Sequence, residues 1–273
     1  MFESVVASAP VILLVAVRCF ALIRTLPLFS SRTVQRIAKV ALAGYMAYAV
    51  YPLVSLKDGP YAAYASYFTS GGGFTQEYIF ALIGEGLIGI MIGFFVTIIF
   101  AAFSTAGQFF SFQMGFSASQ VYDSMSEVEN PLMGEYFNFL AMLVFLQNHL
   151  FNEIFLKGLV SSFKVLNVFS LIDHSENLAL FMMQSLTKLF GDALVIALPL
   201  MGTLFLINVC MGVLSKAAPT MNLMAEGFPI LILTSFGLLV WLLPKFMELF
   251  ADNFVTGFSL LEKLFLSLGG NGA

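Results

Sequence analysis

Tyr78–Phe103 reads YIFALIGEGLIGIMIGFFVTIIFAAF, a long apolar run broken by one carboxylate, Glu85. A helix needs about 20 mostly apolar residues to cross a bilayer, and this run exceeds that. It is too long for a barrel strand and lacks the apolar-polar alternation such a strand shows. The reading is therefore all-α: hydrophobic helical hairpins with helices interrupted at Pro and Gly. Glu85 sits between Gly84 and Gly86, and Gly89 and Gly93 follow with the four-residue spacing that lets helix backbones approach closely.

The rest of the chain repeats the pattern. Of 273 residues, 59% are hydrophobic and 10% charged, with a net charge of −4. A soluble domain carries about 25% charged residues, and no soluble fold of this size hides so much apolar surface. The excess faces lipid or apolar partner subunits. Five or six windows have spanning character. They are Val5–Leu26, Val40–Leu56, the opening run, Leu132–Leu150 with an extension to Val160, Leu178–Leu214, and Phe228–Phe250. Pro199 predicts a kink or break in the fifth. Phe254–Leu268, with Glu262 and Lys263, reads as a separate terminal amphipathic helix. Lys57–Gln76 reads as a polar, Gly-rich connection. No basic residues precede the first apolar segment, which is expected to stay in the mature protein. By the positive-inside rule Arg32, Arg36 and Lys39 make the first loop the one expected on the cytoplasmic side, while the other loops leave the orientation open.

The scattered charges form no basic stripe, which excludes a nucleic-acid partner. Cys19 and Cys210 lie inside apolar runs and read as packed thiols, and His149 and His174 join no metal-ligand spacing. No nucleophile elbow or phosphate-cradling motif is present. The chain is read as non-enzymatic, with no catalytic residue, metal or cofactor. Arg18, in the first window, is the natural counter-charge for Glu85, since an unpaired buried charge is costly. The pair reads as structural, with a proton relay as the other reading. A second feature is the stretch from Gly107 to Phe116, which mixes Phe109, Phe110, Phe112, Met114, Gly115 and Phe116 with Gln108 and Gln113. It suits a flexible apolar constriction, because glycine permits rearrangement and apolar constrictions gate by dewetting. It equally suits a re-entrant or amphipathic connector with no gating role.

Four stretches together resemble the R-subunit family of the type III secretion export gate, the FliR-like proteins of bacterial flagella. Arg18-Cys19-Phe20-Ala21 with Thr25-Leu26-Pro27-Leu28 is similar to the family's opening. Gly86-Leu87-Ile88-Gly89 with Gly93-Phe94 is similar to its glycine run, and Thr105-Ala106-Gly107-Gln108 through Gln113-Met114-Gly115-Phe116-Ser117 to its central segment. Asn208 to Gly212, Ala218-Pro219 and Gly227-Phe228-Pro229 resemble the C-terminal signature, the last tripeptide in its flagellar form. Gln108, Ser124 and Thr220 depart from the residues common there.

The resemblance implies a subunit of the flagellar protein export gate in the bacterial inner membrane, within the basal body. Its partners would be P and Q subunits, a B-type switch subunit, membrane lipid, and unfolded export substrates in transit. It implies an apolar plug in the region 107–122, which favours the constriction reading. It also implies a P-subunit-like part over 1–177 and a Q-subunit-like hairpin over 178–273. That hairpin would bend at Ala218-Pro219, with Asn208, Gly212, Gly227, Phe228 and Pro229 at subunit contacts. A self-sufficient polytopic secondary transporter is the alternative, motivated by Pro-broken helices and Glu85.

Overall fold

A computed structural model describes residues 2–30, 34–54, 60–64, 76–115, 132–217 and 227–269. Every regular element among them is helical. In chain order they are α1 (Phe2–Thr25), α2 (Pro27–Ser30), α3 (Arg36–Val50), α4 (Gln76–Gln113), α5 (Leu132–Gln147), α6 (Phe151–Val165), α7 (Val168–Asp173), α8 (Ser175–Ala217) and α9 (Phe228–Gly269). Short 3₁₀ turns occupy Tyr51–Leu53 and Pro60–Tyr64, and the middle of α6, Ile154–Val160, is π-helical.

Among the described residues, three helices are long and apolar enough to cross a membrane: Gln76–Gln113, Ser175–Ala217 and Pro229–Leu268. The pair α5 and α6 makes a fourth if counted as one broken span. Among the described residues the count is thus three or four, and the first window, Val5–Leu26, forms the 24-residue α1. One loss is clear: α3 has only 15 residues and stops at Tyr51-Pro52. The three long helices have 38, 43 and 42 residues. At 1.5 Å per residue each exceeds roughly 55 Å, well beyond a hydrocarbon core of about 30 Å.

The chain does not break at Pro199, and the two C-terminal windows are not separate helices. Helix α8 runs unbroken through Pro199, and α9 joins the two C-terminal windows into one helix that contains Pro244. The join has a visible cause. Phe246, Phe250, Phe254 and Phe258 recur every four residues, all 6% exposed or less, so one apolar face continues past Asp252 and Asn253. Pro229 lies at the start of α9, where its missing N–H removes no helical bond. The break that does occur is at Asn148–Leu150, between α5 and α6, where exposed His149 adopts φ 51°.

The chain divides into two compact units. The first comprises residues 1–98, 149–185 and 254–273, the second residues 99–148 and 186–253. In the first, α4 lies against α1 with almost no space between backbones. A Cβ at Gly89 would collide with the Arg18 carbonyl oxygen, and one at Gly93 with Thr25 Oγ1. The aromatic core of this unit joins Phe95 to Phe181 and to Phe258, each with ring centroids 5.5 Å apart. In the second unit Phe250 meets Phe103 at 4.8 Å and Phe100 at 5.2 Å, both edge-to-face, the geometry that aromatic quadrupoles favour.

Candidate functional site

The polar centre of the first unit is built around Arg18 and Glu85, both wholly buried. Arg18 Nε donates to Glu85 Oε2 at 2.7 Å. Its Nη1 donates to Ser162 Oγ at 3.0 Å and its Nη2 to the Leu166 carbonyl at 2.9 Å. The guanidinium carbon stands 4.2 Å from the Phe163 ring centroid, a cation–π contact. Glu85 is equally engaged. Tyr61 Oη donates to Oε2 at 2.6 Å, and Tyr64 Oη to Oε1 at 3.1 Å. Tyr64 Oη in turn accepts from the Val168 N–H at 2.7 Å.

Local sequence explains why these partners converge. The chain leaves α6 at Leu166 with extended backbone, so that carbonyl is freed from helical bonding and turns to Arg18. Asn167 then caps α7, accepting from the Ser170 N–H at 2.7 Å, while its Nδ2 donates to the Pro60 carbonyl at 2.7 Å. The 3₁₀ turn carrying Tyr61 and Tyr64 is thereby fastened to the α6–α7 joint. The phenols stack edge-to-face at 5.2 Å. Burial, with the Glu85 carboxylate nearby, raises the Tyr61 and Tyr64 hydroxyls well above the ordinary phenol range, so both remain proton donors. One ion pair therefore ties together α1, α4, the Pro60–Tyr64 turn, α6 and the α6–α7 joint.

Sequence reading supplied Arg18, Glu85, Gly89 and Gly93 but missed Tyr61, Tyr64, Ser162 and the Leu166 carbonyl. The two tyrosines fall in the stretch read as a connection. Their only signal is the three-residue spacing of polar-tipped aromatics in an otherwise small-residue segment.

The aromatic stretch belongs to the second unit. Residues 107–113 form the last turns of α4, followed by a turn at Met114-Gly115, with Gly115 at φ 81°. The side chains divide by face. Phe110 and Met114, four apart, are fully buried, and Phe110 packs 6.5 Å from Phe137. Phe109 and Gly115 are half-buried, whereas Phe112 is 63% exposed. Phe116 lies outside the described residues. Of the remaining candidates, Asn208 is half-buried, and Gly212 is exposed with open space where a side chain would be. Gly227 is buried and Pro229 exposed, while Ala218, Pro219 and the Phe228 side chain lie outside the described residues. Cys19 is buried as expected, but Cys210 is exposed, not packed.

Comparison with known proteins gives a consistent outcome. Residues 9–257 match the family described as bacterial export proteins, family 1. The flagellar biosynthetic protein FliR of Bacillus subtilis (strain 168) is 27% identical over 240 residues, which cover 87% of this chain and 88% of that protein. FliR of Escherichia coli (strain K12) is 28% identical over 253 residues, 92% of this chain and 91% of that protein. The surface presentation of antigens protein SpaR of Shigella flexneri is 28% identical over 154 residues, 56% of this chain and 58% of that protein. With an all-helical, strongly apolar fold and a match over nearly its whole length, the chain belongs to the bacterial export proteins, family 1, the family of the FliR-like proteins.

Proposed function

We propose that this chain is the R subunit of the flagellar type III protein export gate, a non-enzymatic component of the bacterial inner membrane. In this reading it assembles with P and Q subunits, packs against a B-type switch subunit, and lines the entry route of unfolded substrates. The observation that carries the reading is the match of residues 9–257 to an export family with flagellar relatives on both sides of 90% coverage. The uneven burial of the long helices supports it. In the most apolar window of α4, 56% is buried, against 22% for α8 and 22% for α9. Leu233, Trp241 and Val213 are 78%, 77% and 65% exposed, so much of the C-terminal half has apolar surface available for subunits or lipid. The division into a P-like part over 1–177 and a Q-like hairpin over 178–273, bent at Ala218-Pro219, belongs to the same proposal.

The end of α4 is the proposed plug. Among the described residues of the stretch Phe112 is the exposed apolar side chain, and Gly115 takes a left-handed conformation that side chains resist. Phe110 acts from inside, packing on Phe137 of α5, and Met114 is buried one turn on. Phe112→Ala combined with Phe116→Ala, in the gate assembled with P and Q subunits, is expected to raise ion leak through the closed gate while the subunit still assembles. Unchanged leak together with unchanged export would overturn the plug assignment. Phe110→Ala is a poorer probe, because it also opens a cavity in the second unit.

A further inference from the structure

On the first unit a groove of about 390 Å³ runs between the start of α4 and α7. Phe80, Ile83 and Leu87 line one wall and Phe169 and Ile172 the other, with Glu77 at one end. The volume falls in the range of small-ligand sites, which are mostly apolar with a few polar groups to fix orientation. The apolar lining residues are unusually open: Phe80 is 68%, Ile172 64%, Ile83 55% and Leu87 51% exposed. The floor is rigid. Tyr64 and Val168 are joined by the 2.7 Å hydrogen bond described above, and a Cβ at Gly84 would collide with Val168 Cγ2.

Position and charge identify the occupant. Glu77 is in the first turn of α4, where a membrane-capable helix begins, and the apolar residues follow it along the helix at positions 80, 83 and 87. A phospholipid has this pattern, a polar head at the interface and a chain along the helix. Glu77 is exposed and makes no ion pair with any described residue. An acidic headgroup would be repelled there, and a choline head cannot donate a hydrogen bond to a carboxylate. A primary ammonium is attracted to the carboxylate and also donates hydrogen bonds to it. We propose that this groove binds one acyl chain of an aminophospholipid of the phosphatidylethanolamine class, with its ammonium on Glu77. The proposal goes beyond the export-gate reading and does not depend on it.

The test uses the full chain in nanodiscs of phosphatidylethanolamine, phosphatidylcholine and phosphatidylglycerol in equal parts, with retained lipids identified by native mass spectrometry. The expected result is an enrichment of phosphatidylethanolamine of about threefold, the size of a partly exposed ion pair. Glu77→Gln is expected to abolish the enrichment while lipid is still retained. Ile83→Trp, which fills the groove from an exposed position, is expected to remove the retained lipid itself. Retained lipid in bulk proportions, or enrichment unchanged in both variants, overturns the proposal. In the assembled complex, a photo-crosslinker at Ile83 is expected to capture lipid. Capture of a partner subunit there would also overturn it. Loss of export alone is not a readout of this site.

Discussion

Both units pack aromatic rings, but among the described residues only the first is also built around a buried charge pair. The first is organised around a fully buried charge pair in which each guanidinium nitrogen of Arg18 and both oxygens of Glu85 are engaged, and the second around tilted and edge-to-face phenylalanines. Dispersion between rings is forgiving of small shifts, whereas a buried ion pair is unforgiving once one member is lost. The first unit is thus the more specified part of the chain, its partners named one by one. The second, with Phe110 and the exposed Phe112 at the end of α4, is the part in which rearrangement costs less.

Substitutions can break this contrast. The largest effect is expected from Glu85→Ala, which strands Arg18 and orphans two phenols. A loss of about 3–5 kcal/mol is expected, read as loss of the folded chain in a protease-resistance assay. The double change Arg18→Met with Glu85→Leu should be less damaging than either single change, and equal or greater damage would show that the pair is not the organising contact. Phe250→Leu, in the aromatic core of the second unit, should cost less, roughly 1–2 kcal/mol by thermal unfolding, because the remaining rings can repack. Tyr61→Phe should fall in a similar or smaller range, about 1–2 kcal/mol, by leaving Glu85 one donor short.

The smallest effect is expected from pH. The Tyr61 and Tyr64 hydroxyls titrate higher in the fold than in an unfolded chain. The fold therefore favours their protonated form. The associated stability is fully present below the ordinary tyrosine value of about 10 and declines as pH rises past it. Melting temperature followed from about pH 8 to pH 11 should fall more steeply in the wild-type chain than in the Tyr61→Phe, Tyr64→Phe double variant. Parallel slopes would remove the phenols from the account.

Charge in an apolar run made part of the polar centre readable in advance. Arg18 and Glu85 stood out because each is costly alone, and the glycines at 89 and 93 because their spacing demands a close neighbour. Tyr61 and Tyr64 were not readable in that way. Their role depends on a turn 21 and 24 residues before Glu85, brought to it by tertiary packing with no local pattern to announce it. At Pro199, where a kink or a break was expected, the helix does not break. Proline removes one hydrogen bond, but a 43-residue apolar helix has many others and, in a nonpolar environment, no better use for its backbone groups. The dip in hydropathy at Asp252-Asn253 misled because the phenylalanine stripe lies on a different face and continues through it. The character of the 107–116 stretch was readable from composition, but its division into buried Phe110 and Met114 and exposed Phe112 required the end of α4 to be placed.

The central claim is membership of a multi-subunit gate, and assembly tests it most directly. This chain should be co-expressed with P and Q subunits in a flagellated bacterium lacking its own R subunit, and the solubilised membranes resolved by blue-native electrophoresis. The account predicts one band containing all three, disrupted when Glu85→Ala unfolds the first unit. A stable P and Q complex from which this chain is absent, with the folded chain migrating alone, would contradict it.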